Sequence, residues 1–312
     1  MTEHLVGSRI PDLRTVVVGA VLRYRMKHRG KPGVVTAEGL RRSAAAFEHG
    51  VGRAPVPPFV RIEPVDAPTV RGEWVSTGSG SDQGVILFFH GGGFVMGSPA
   101  THRAGTWRIS RATGRRVLAI RYRHAPDYAF PAWIEDGVAA FRWLVGQGIA
   151  PANIILSGDS AGGNMALAVT HRLRSEKQPL PGGLILFSPW GDLACGSPSY
   201  RRNVHSEAMF RAIDVRATGA FLTSACDPRN PEVSPVHADL KGFPPMLIFA
   251  GSGELFVDDA RMVLRNALSA GVKAELHVYR YMPHVFPLLA GVLPRAKPAY
   301  RTITRFASQL PG

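Results

Sequence analysis

A serine flanked by two glycines is the first candidate for chemistry in this sequence. Ser160 lies in LSGDSAGGN, between the apolar run NIIL and the helix-like run MALAV. Gly158 and Gly162 remove side chains at the point where the chain would fold back from a strand into a helix. Such a turn holds a serine hydroxyl at its tip, so the pattern is typical of a nucleophile. The motif is short and also fits an ordinary glycine-rich turn, so the rest of the chain must decide.

A second glycine motif follows the apolar run VILFF. His90, Gly91, Gly92 and Gly93 stand in the order HGGG. Attack on an ester carbonyl places negative charge on oxygen, which preformed backbone N–H groups can stabilise. Consecutive glycines let the backbone turn such donors inward without side-chain obstruction. The N–H of Ala161, immediately after the serine, would be the partner donor. The alternative is a tight turn that needs glycine for its backbone angles.

A serine nucleophile in this setting requires an acid and then a histidine later in the chain. After the apolar run PMLIFAG, the candidate acids are Glu254, Asp258 and Asp259. Catalytic groups collect beyond the carboxyl ends of parallel strands, which favours Glu254 in the loop. Asp258 and Asp259 fall at a helix start, where capping explains them equally well. His284, in YMPHVFPLL after the strand-like AELHVYR, is the histidine with the right order and position.

The segments that must position these residues alternate between strand-like and helix-like patterns, which predicts an α/β fold with a mostly parallel, eight-stranded sheet flanked by helices. The first strands are close together and predict an antiparallel edge. The predicted strands are Phe59–Glu63, Val70–Val75, Val85–Phe89, Arg116–Arg121, Asn153–Ser157, Gly183–Phe187, Pro245–Ala250 and Ala274–Tyr279. The predicted helices are Trp133–Gly146, Ala161–Arg174, Asp258–Ala270 and Arg295–Gln309. From about Ser197 to Leu240 an insertion with a helical piece at Ser206–Ser224 interrupts the alternation, where a lid would lie.

Composition sets broad limits. The 312 residues are 45% hydrophobic, enough for a large core, and carry a formal net charge of +14. The positive charge suggests either an acidic partner or a basic surface that aids solubility; no module typical of nucleic-acid binding is visible.

The glycine- and serine-rich stretch 78–84 is not followed by a helix, so it is interpreted as a surface turn rather than a phosphate loop.

The basic excess is strongest at the start, where residues 1–53 hold ten Lys or Arg against four Asp or Glu. LRTVVVGAVLRYRMKHRGK predicts a cap helix, or else a helix lying on an anionic membrane. Its apolar run is too short to span a bilayer, and no small-x-small cleavage site follows it. Without an export signal, Cys195 and Cys226 are expected to be reduced thiols in a cytoplasmic protein.

Five motifs together, HGGGF, RYRHAPDYAFPAWIEDG, GDSAGGN, SPWGDL and ELFVDD, resemble the bacterial hormone-sensitive-lipase-like esterases of the α/β-hydrolase fold. The resemblance runs from about Phe59 to the C-terminus. It implies a catalytic domain at 56–312 and an N-terminal cap segment at 1–55 that the insertion at 197–240 completes. It also implies that Gly92, Gly93 and Ala161 form the oxyanion hole. Many members carry aspartate then proline where this chain has Glu254 then Leu255.

These residues predict a serine carboxylesterase that acts on short- to medium-chain esters, with an amide deacylase or a lipase as alternatives. His284 would take the proton of Ser160 and Glu254 would orient the imidazole. Asp159 is expected to support the site by hydrogen-bonding nearby backbone. His90, Gly91 and Asp258 are also expected to support it.

No cofactor or metal is implied, and the expected partner is a small-molecule ester, with a homodimer possible. Plant gibberellin receptors resemble this fold but lack the catalytic histidine. The presence of His284 therefore favours an enzyme over a receptor.

Overall fold

The computed structural model describes residues 2–27, 32–52, 55–78 and 84–311, so residues 79–83 of the predicted surface turn lie outside it. Within these ranges the centre is one sheet in the order β1-β9-β8-β7-β6-β4-β5-β3-β2. Strands β1 and β4–β9 are parallel, whereas β3 pairs antiparallel with β2 and β5, as predicted for the edge. The strands are β1 Glu3–Val6, β2 Arg61–Asp66, β3 Arg71–Ser76, β4 Val85–Phe89, β5 Arg116–Ile120, β6 Ile154–Asp159, β7 Gly183–Phe187, β8 Met246–Gly251 and β9 Ala274–Tyr279.

The predicted count of eight strands is wrong, because the described part of the chain contributes nine. The additional strand, β1, pairs parallel with β9 from Glu3 opposite Leu276 to Val6 opposite Tyr279. Residues 3–6 belong to the predicted N-terminal cap segment, yet they extend the central sheet. Four mostly exposed residues have neither the length nor the alternation that predicts a strand, and their partner lies near the other end of the chain.

Helices cover both faces of the sheet and explain the near-continuous apolar strands. Leu87 and Leu156 pack in one core with α4, α5 and α8, while Ile86 and Ile155 pack in a second core with α3 and α9. The helices are α1 Leu13–Lys27, α2 Ala37–Val51, α3 Pro99–Thr113, α4 Ala132–Gly146, α5 Ala161–Ser175, α6 Ser199–Arg202, α7 Ala212–Leu222, α8 Val257–Ser269 and α9 Lys297–Ser308. None of the helices in the described ranges is long and apolar enough to cross a membrane.

The four predicted helices correspond to α4, α5, α8 and α9, and α7 lies within the predicted Ser206–Ser224 piece. Helix α3 was not predicted, although Ser98, Pro99 and Thr101 form a capping box with proline in the first turn. Its polar and apolar residues alternate too irregularly to indicate a helix without that cap.

The N-terminal helices contact the insertion. Lys27 Nζ, at the end of α1, donates to the Val204 carbonyl at 3.1 Å, and Gly33 N donates to Asp214 of α7 at 2.8 Å. Helix α7 in turn approaches the loop after β7 closely, because a Cβ at Gly219 would lie 2.2 Å from the Leu193 carbonyl oxygen. The two segments thus lie against each other; their joint role as a cap stays a prediction.

A buried amide ties this loop and the insertion to α5. Asn164 Nδ2 donates to the carbonyls of Trp190 at 2.9 Å and Val233 at 2.8 Å. Asn164→Ala should lower the free energy of unfolding by about 2 to 3 kcal/mol, because two buried carbonyls lose their donor. Asn266→Ala, a control that removes a single, less buried bond to Val236, should cost about 1 kcal/mol. Urea unfolding of both variants tests this, and equal losses would contradict it.

Candidate active site

The sequence-predicted residues meet at one edge of the sheet. The HGGG motif follows β4, Ser160 follows β6, Glu254 follows β8 and His284 follows β9. These strands run parallel, so their carboxyl ends face the same side. The side chains of Ser160, Glu254 and His284 are all buried.

Ser160 occupies a strained turn between β6 and α5. Its backbone has φ 55° and ψ −118°, a combination that costs energy for a residue with a side chain. A Cβ at Gly158 would lie 2.3 Å from the Gly162 carbonyl carbon, and one at Gly162 would lie 1.9 Å from the Phe89 carbonyl oxygen. Both positions therefore require glycine. The Ser160 N–H donates to the Phe187 carbonyl at 2.9 Å, which fixes the turn against β7.

His284 and Glu254 form a buried pair. His284 Nδ1 lies 2.8 Å from Glu254 Oε2, and Gly251 N donates to Glu254 Oε1 at 3.0 Å. A carboxylate only accepts, so Nδ1 donates and Nε2 carries a free lone pair. Nε2 is buried and has no hydrogen-bond partner among the residues described. The ring packs against Phe256 at 4.7 Å and Phe210 at 5.1 Å between centroids. This tautomer and orientation are those of a general base.

Burial raises the pKa of the Glu254 carboxyl, while the hydrogen bond and charge of His284 act in the opposite direction. A second buried carboxylate, Glu207, raises the pKa further. The surroundings of Glu254 therefore disfavour its ionised form. A positive charge on His284 would favour that form. A proton taken up by His284 is stabilised by this carboxylate.

The HGGG loop has left-handed backbone at two glycines. Gly92 has φ 117° and Gly93 has φ 65°. A Cβ at Gly92 would lie 2.1 Å from the Met96 carbonyl oxygen, so the turn has no room for another residue. Ala161 is the first residue of α5, where N–H groups have no acceptor within the helix and the helix dipole favours negative charge.

Asp159 joins the two glycine motifs. Its Oδ1 accepts from Gly91 N at 3.0 Å, and its Oδ2 lies 3.5 Å from His102 Nε2 on α3. A Cβ at Gly91 would lie 2.2 Å from Oδ2, which explains the first glycine of the triplet. The supporting contact predicted for Asp159 is thus present as a hydrogen bond to the HGGG loop.

Two buried histidines behind this loop have pKa values shifted in opposite directions. Burial lowers the pKa of His90 well below its usual value, and its ring stacks on Tyr122 at 4.2 Å. Burial also acts to lower the pKa of His102, but the charge and hydrogen bond of Asp159 outweigh it, so the pKa of His102 is raised. His90 Nδ1 donates to the Gly91 carbonyl at 2.8 Å, so a hydrogen bond ties this histidine to the HGGG loop, and its supporting role stays a prediction. Sequence reasoning missed His102 and Tyr122, because no local pattern relates them to Asp159.

The other two acids are engaged elsewhere. Asp258 lies 3.1 Å from Arg202 and 3.0 Å from Arg261; although burial acts to raise its pKa, these arginines lower it. Asp259 accepts from the Tyr200 hydroxyl at 3.1 Å, and burial raises its pKa well above the usual value. Only Glu254 of the three candidates contacts His284.

The start of the insertion holds the loop that carries Glu254. Asn203 Nδ2 donates to the carbonyls of Ser252 at 3.1 Å and Glu254 at 2.8 Å. Glu207 Oε2 accepts from Leu255 N at 3.0 Å. These side chain–backbone bonds connect segments about 50 residues apart, so the sequence contained no signal for them.

A single group in the described ranges has the donor spacing of a metal site: His4, Glu275 and His277 on β1 and β9. Its carboxylate is already paired with Arg305 at 2.6 Å and with His277 at 3.1 Å. Strand β9 is separated from β6 by β8 and β7, about 14 Å across the sheet, so this group takes no part in the site at Ser160.

Comparison with known proteins identifies the family of this fold. Residues 86–288 match the family of the alpha/beta hydrolase fold, so the chain belongs to that family. The predicted fold class is thereby confirmed.

Relatives with a named activity indicate which reaction the chain catalyses within this family. An acetyl-hydrolase of Streptomyces hygroscopicus is 38% identical and aligns over 80% of this chain and 85% of its own. An esterase of Acinetobacter venetianus is 37% identical over 82% and 84%. The crystal structure of an esterase from the bacterial hormone-sensitive lipase family is 35% identical, with a TM-score of 0.90 over 97% of this chain and 100% of that one. The protein is a carboxylic ester hydrolase of this hormone-sensitive-lipase-like group, as its motifs predicted.

Because Glu254 contacts His284 and Asp258 does not, substitutions of these two acids should differ in their effect on turnover. Glu254→Gln keeps the shape but removes the charge that stabilises a protonated His284, so kcat should fall by about 10²- to 10⁴-fold. Asp258→Asn removes charge from the ion pairs with Arg202 and Arg261 and should change kcat less than about threefold. Turnover of both variants on one soluble ester decides the assignment; a larger loss in Asp258→Asn would reverse it.

Proposed function

We propose that the protein hydrolyses short- to medium-chain acyl esters through a Ser160–His284–Glu254 triad. The observation that carries the proposal is the buried contact of 2.8 Å between His284 Nδ1 and Glu254, which leaves Nε2 without a partner in the described part of the chain. Ser160, at its strained turn, lies at the same edge of the sheet. A serine, an oriented base and a buried acid in this order perform acyl transfer in many folds.

In the proposed reaction, Ser160 Oγ attacks the ester carbonyl while His284 Nε2 takes the hydroxyl proton. The carbonyl oxygen becomes an oxyanion held by the N–H groups of Gly92, Gly93 and Ala161. The carbon–oxygen bond to the alcohol then breaks, and His284 returns the proton to the leaving alkoxide. A water molecule attacks the acyl-enzyme by the same route and releases the carboxylic acid and free Ser160.

The roles of the supporting residues follow from their contacts. Glu254 stays ionised and stabilises the imidazolium that forms twice per cycle. Asp159 holds the HGGG loop through Gly91 N, so the oxyanion donors keep their orientation. Because donors fixed in advance need no reorganisation during the reaction, this support contributes to the rate without touching the substrate.

The proposed limit on acyl-chain length rests on the large side chains near His284 and the HGGG loop. Phe210 from the insertion contacts His284, and Trp190 lies 3.8 Å from where a Cβ at Gly93 would be. Helix α7 packs over this tryptophan. Large side chains beside both the base and the oxyanion loop leave limited room for an acyl chain. A relative named as an acetyl-hydrolase supports the same preference.

Ser160→Ala tests the mechanism. Removal of the nucleophile should reduce kcat by about 10⁴- to 10⁶-fold with the fold intact. Ser157→Ala is a matched control, because this buried serine three positions earlier on β6 has a hydroxyl without a partner in the described structure, and it should retain activity. Circular dichroism verifies folding; a folded, active Ser160→Ala enzyme refutes the triad.

An acyl-length series tests the proposed size limit. Values of kcat/KM for p-nitrophenyl esters should rise by at most about fourfold per methylene while the chain is buried, and then fall once it meets the wall. Phe210→Ala should move the optimum to longer chains, because it removes the aromatic ring beside His284. A steady rise to long chains in the unaltered enzyme would contradict the proposal.

A further inference from the structure

Helix α1 presents an apolar face to solvent. Leu13 is 79% exposed, and Val16, Val17 and Val21 are about half exposed. With Ala20 and Tyr24, both also exposed, these residues follow the spacing i, i+3, i+4, i+7, i+8 and i+11, so they form one stripe along the helix. A surface helix ordinarily places such a stripe against its own protein. Here it points outward.

The opposite face of α1 is the one that contacts the rest of the molecule. Thr15 is buried, and Val18, Leu22 and Met26 are half-buried. The helix is anchored at both ends, since Asp12 pairs with Arg295 at 2.6 Å and Lys27 Nζ donates to the Val204 carbonyl at 3.1 Å. These contacts fix the orientation of α1 on the protein, and in this orientation the apolar stripe faces outward.

Basic side chains border the stripe on both sides. Arg14 and Arg25 lie along one flank and Arg23 along the other, by their positions in the helical repeat. Residues 13–27 contain no Asp or Glu, and the whole chain carries a formal charge of +14. An apolar stripe between basic flanks is the pattern of a helix that lies in the interface of an anionic membrane.

We propose that α1 docks this protein on an anionic lipid surface, with the apolar stripe inserted among the acyl chains and the flanking arginines against lipid phosphates. A second copy of the chain fits the face less well. A twofold dimer through this face would bring the same basic flanks toward each other. Anionic lipid instead supplies both the apolar layer and the opposite charge.

Docking at α1 would place lipid beside the catalytic loops. The helix borders a cavity of about 370 Å³ together with Ser252, Gly253, Met282 and Pro283. These four residues precede Glu254 and His284 in the chain. If the proposed esterase function holds, the docked enzyme would meet esters that partition into the membrane. The docking itself does not depend on that function.

Vesicle sedimentation tests the proposal with the full chain. The protein should bind vesicles of phosphatidylcholine mixed with phosphatidylglycerol, bind pure phosphatidylcholine far less, and dissociate as salt rises. Arg14→Gln with Arg25→Gln should weaken binding by about 25-fold, at about fivefold per charge. Leu13→Ser with Val17→Ser should weaken it by roughly tenfold or more, because two inserted side chains are lost.

Leu268→Ser with Tyr128→Ser is the matched control, since these side chains are 42% and 49% exposed on other elements. This variant should bind like the unaltered protein, and all variants should hydrolyse a soluble ester at the same rate. Absence of binding to anionic vesicles, or equal binding by the stripe variant and the control, overturns the proposal. Self-association that the stripe variant abolishes, without vesicle binding, would assign the face to a second copy instead.

Discussion

The backbones of β4, β6 and α5 approach so closely beneath Ser160 that no side chain fits between them. A Cβ at Gly162 would lie 1.9 Å from the Phe89 carbonyl oxygen, and one at Gly158 would lie 2.3 Å from the Gly162 carbonyl carbon. This contact brings the start of α5 against the end of β4. It thereby places the Ala161 N–H and the HGGG loop close to the serine, and the proposed stabilisation of the oxyanion depends on that proximity.

Burial determines the charges around this contact. Glu254 and Asp159 are both buried, and each lies against a histidine, His284 or His102. In the first pair His284 Nε2 has no partner among the described residues, whereas in the second the carboxylate of Asp159 also accepts from Gly91 N of the HGGG loop. Similar acid–histidine pairs thus differ at the second ring nitrogen, which lies near Thr101 and Ser98 in His102 and has no described partner in His284.

The acid loop depends on segments outside the central sheet. Asn203 and Glu207 from the insertion bind the backbone on either side of Glu254, and Lys27 of α1 binds the Val204 carbonyl between them. The segments predicted to form the cap therefore contact the loop that carries Glu254. Substitution of Asn203 or Glu207, which bind this loop directly, is therefore expected to affect turnover.

The sequence alone determined the fold class and the candidate catalytic residues, because each glycine motif and each candidate follows an apolar strand. Periodicity and chain order are local properties, and they placed Ser160, Glu254 and His284 correctly at strand ends. Tertiary structure decided what depends on contacts between distant segments. Examples are β1 as a ninth strand beside β9, His102 behind Asp159, and Asn203 at the acid loop. Only the folded chain also showed that α1 buries one apolar face and exposes the other, because helical periodicity cannot tell which face meets the protein.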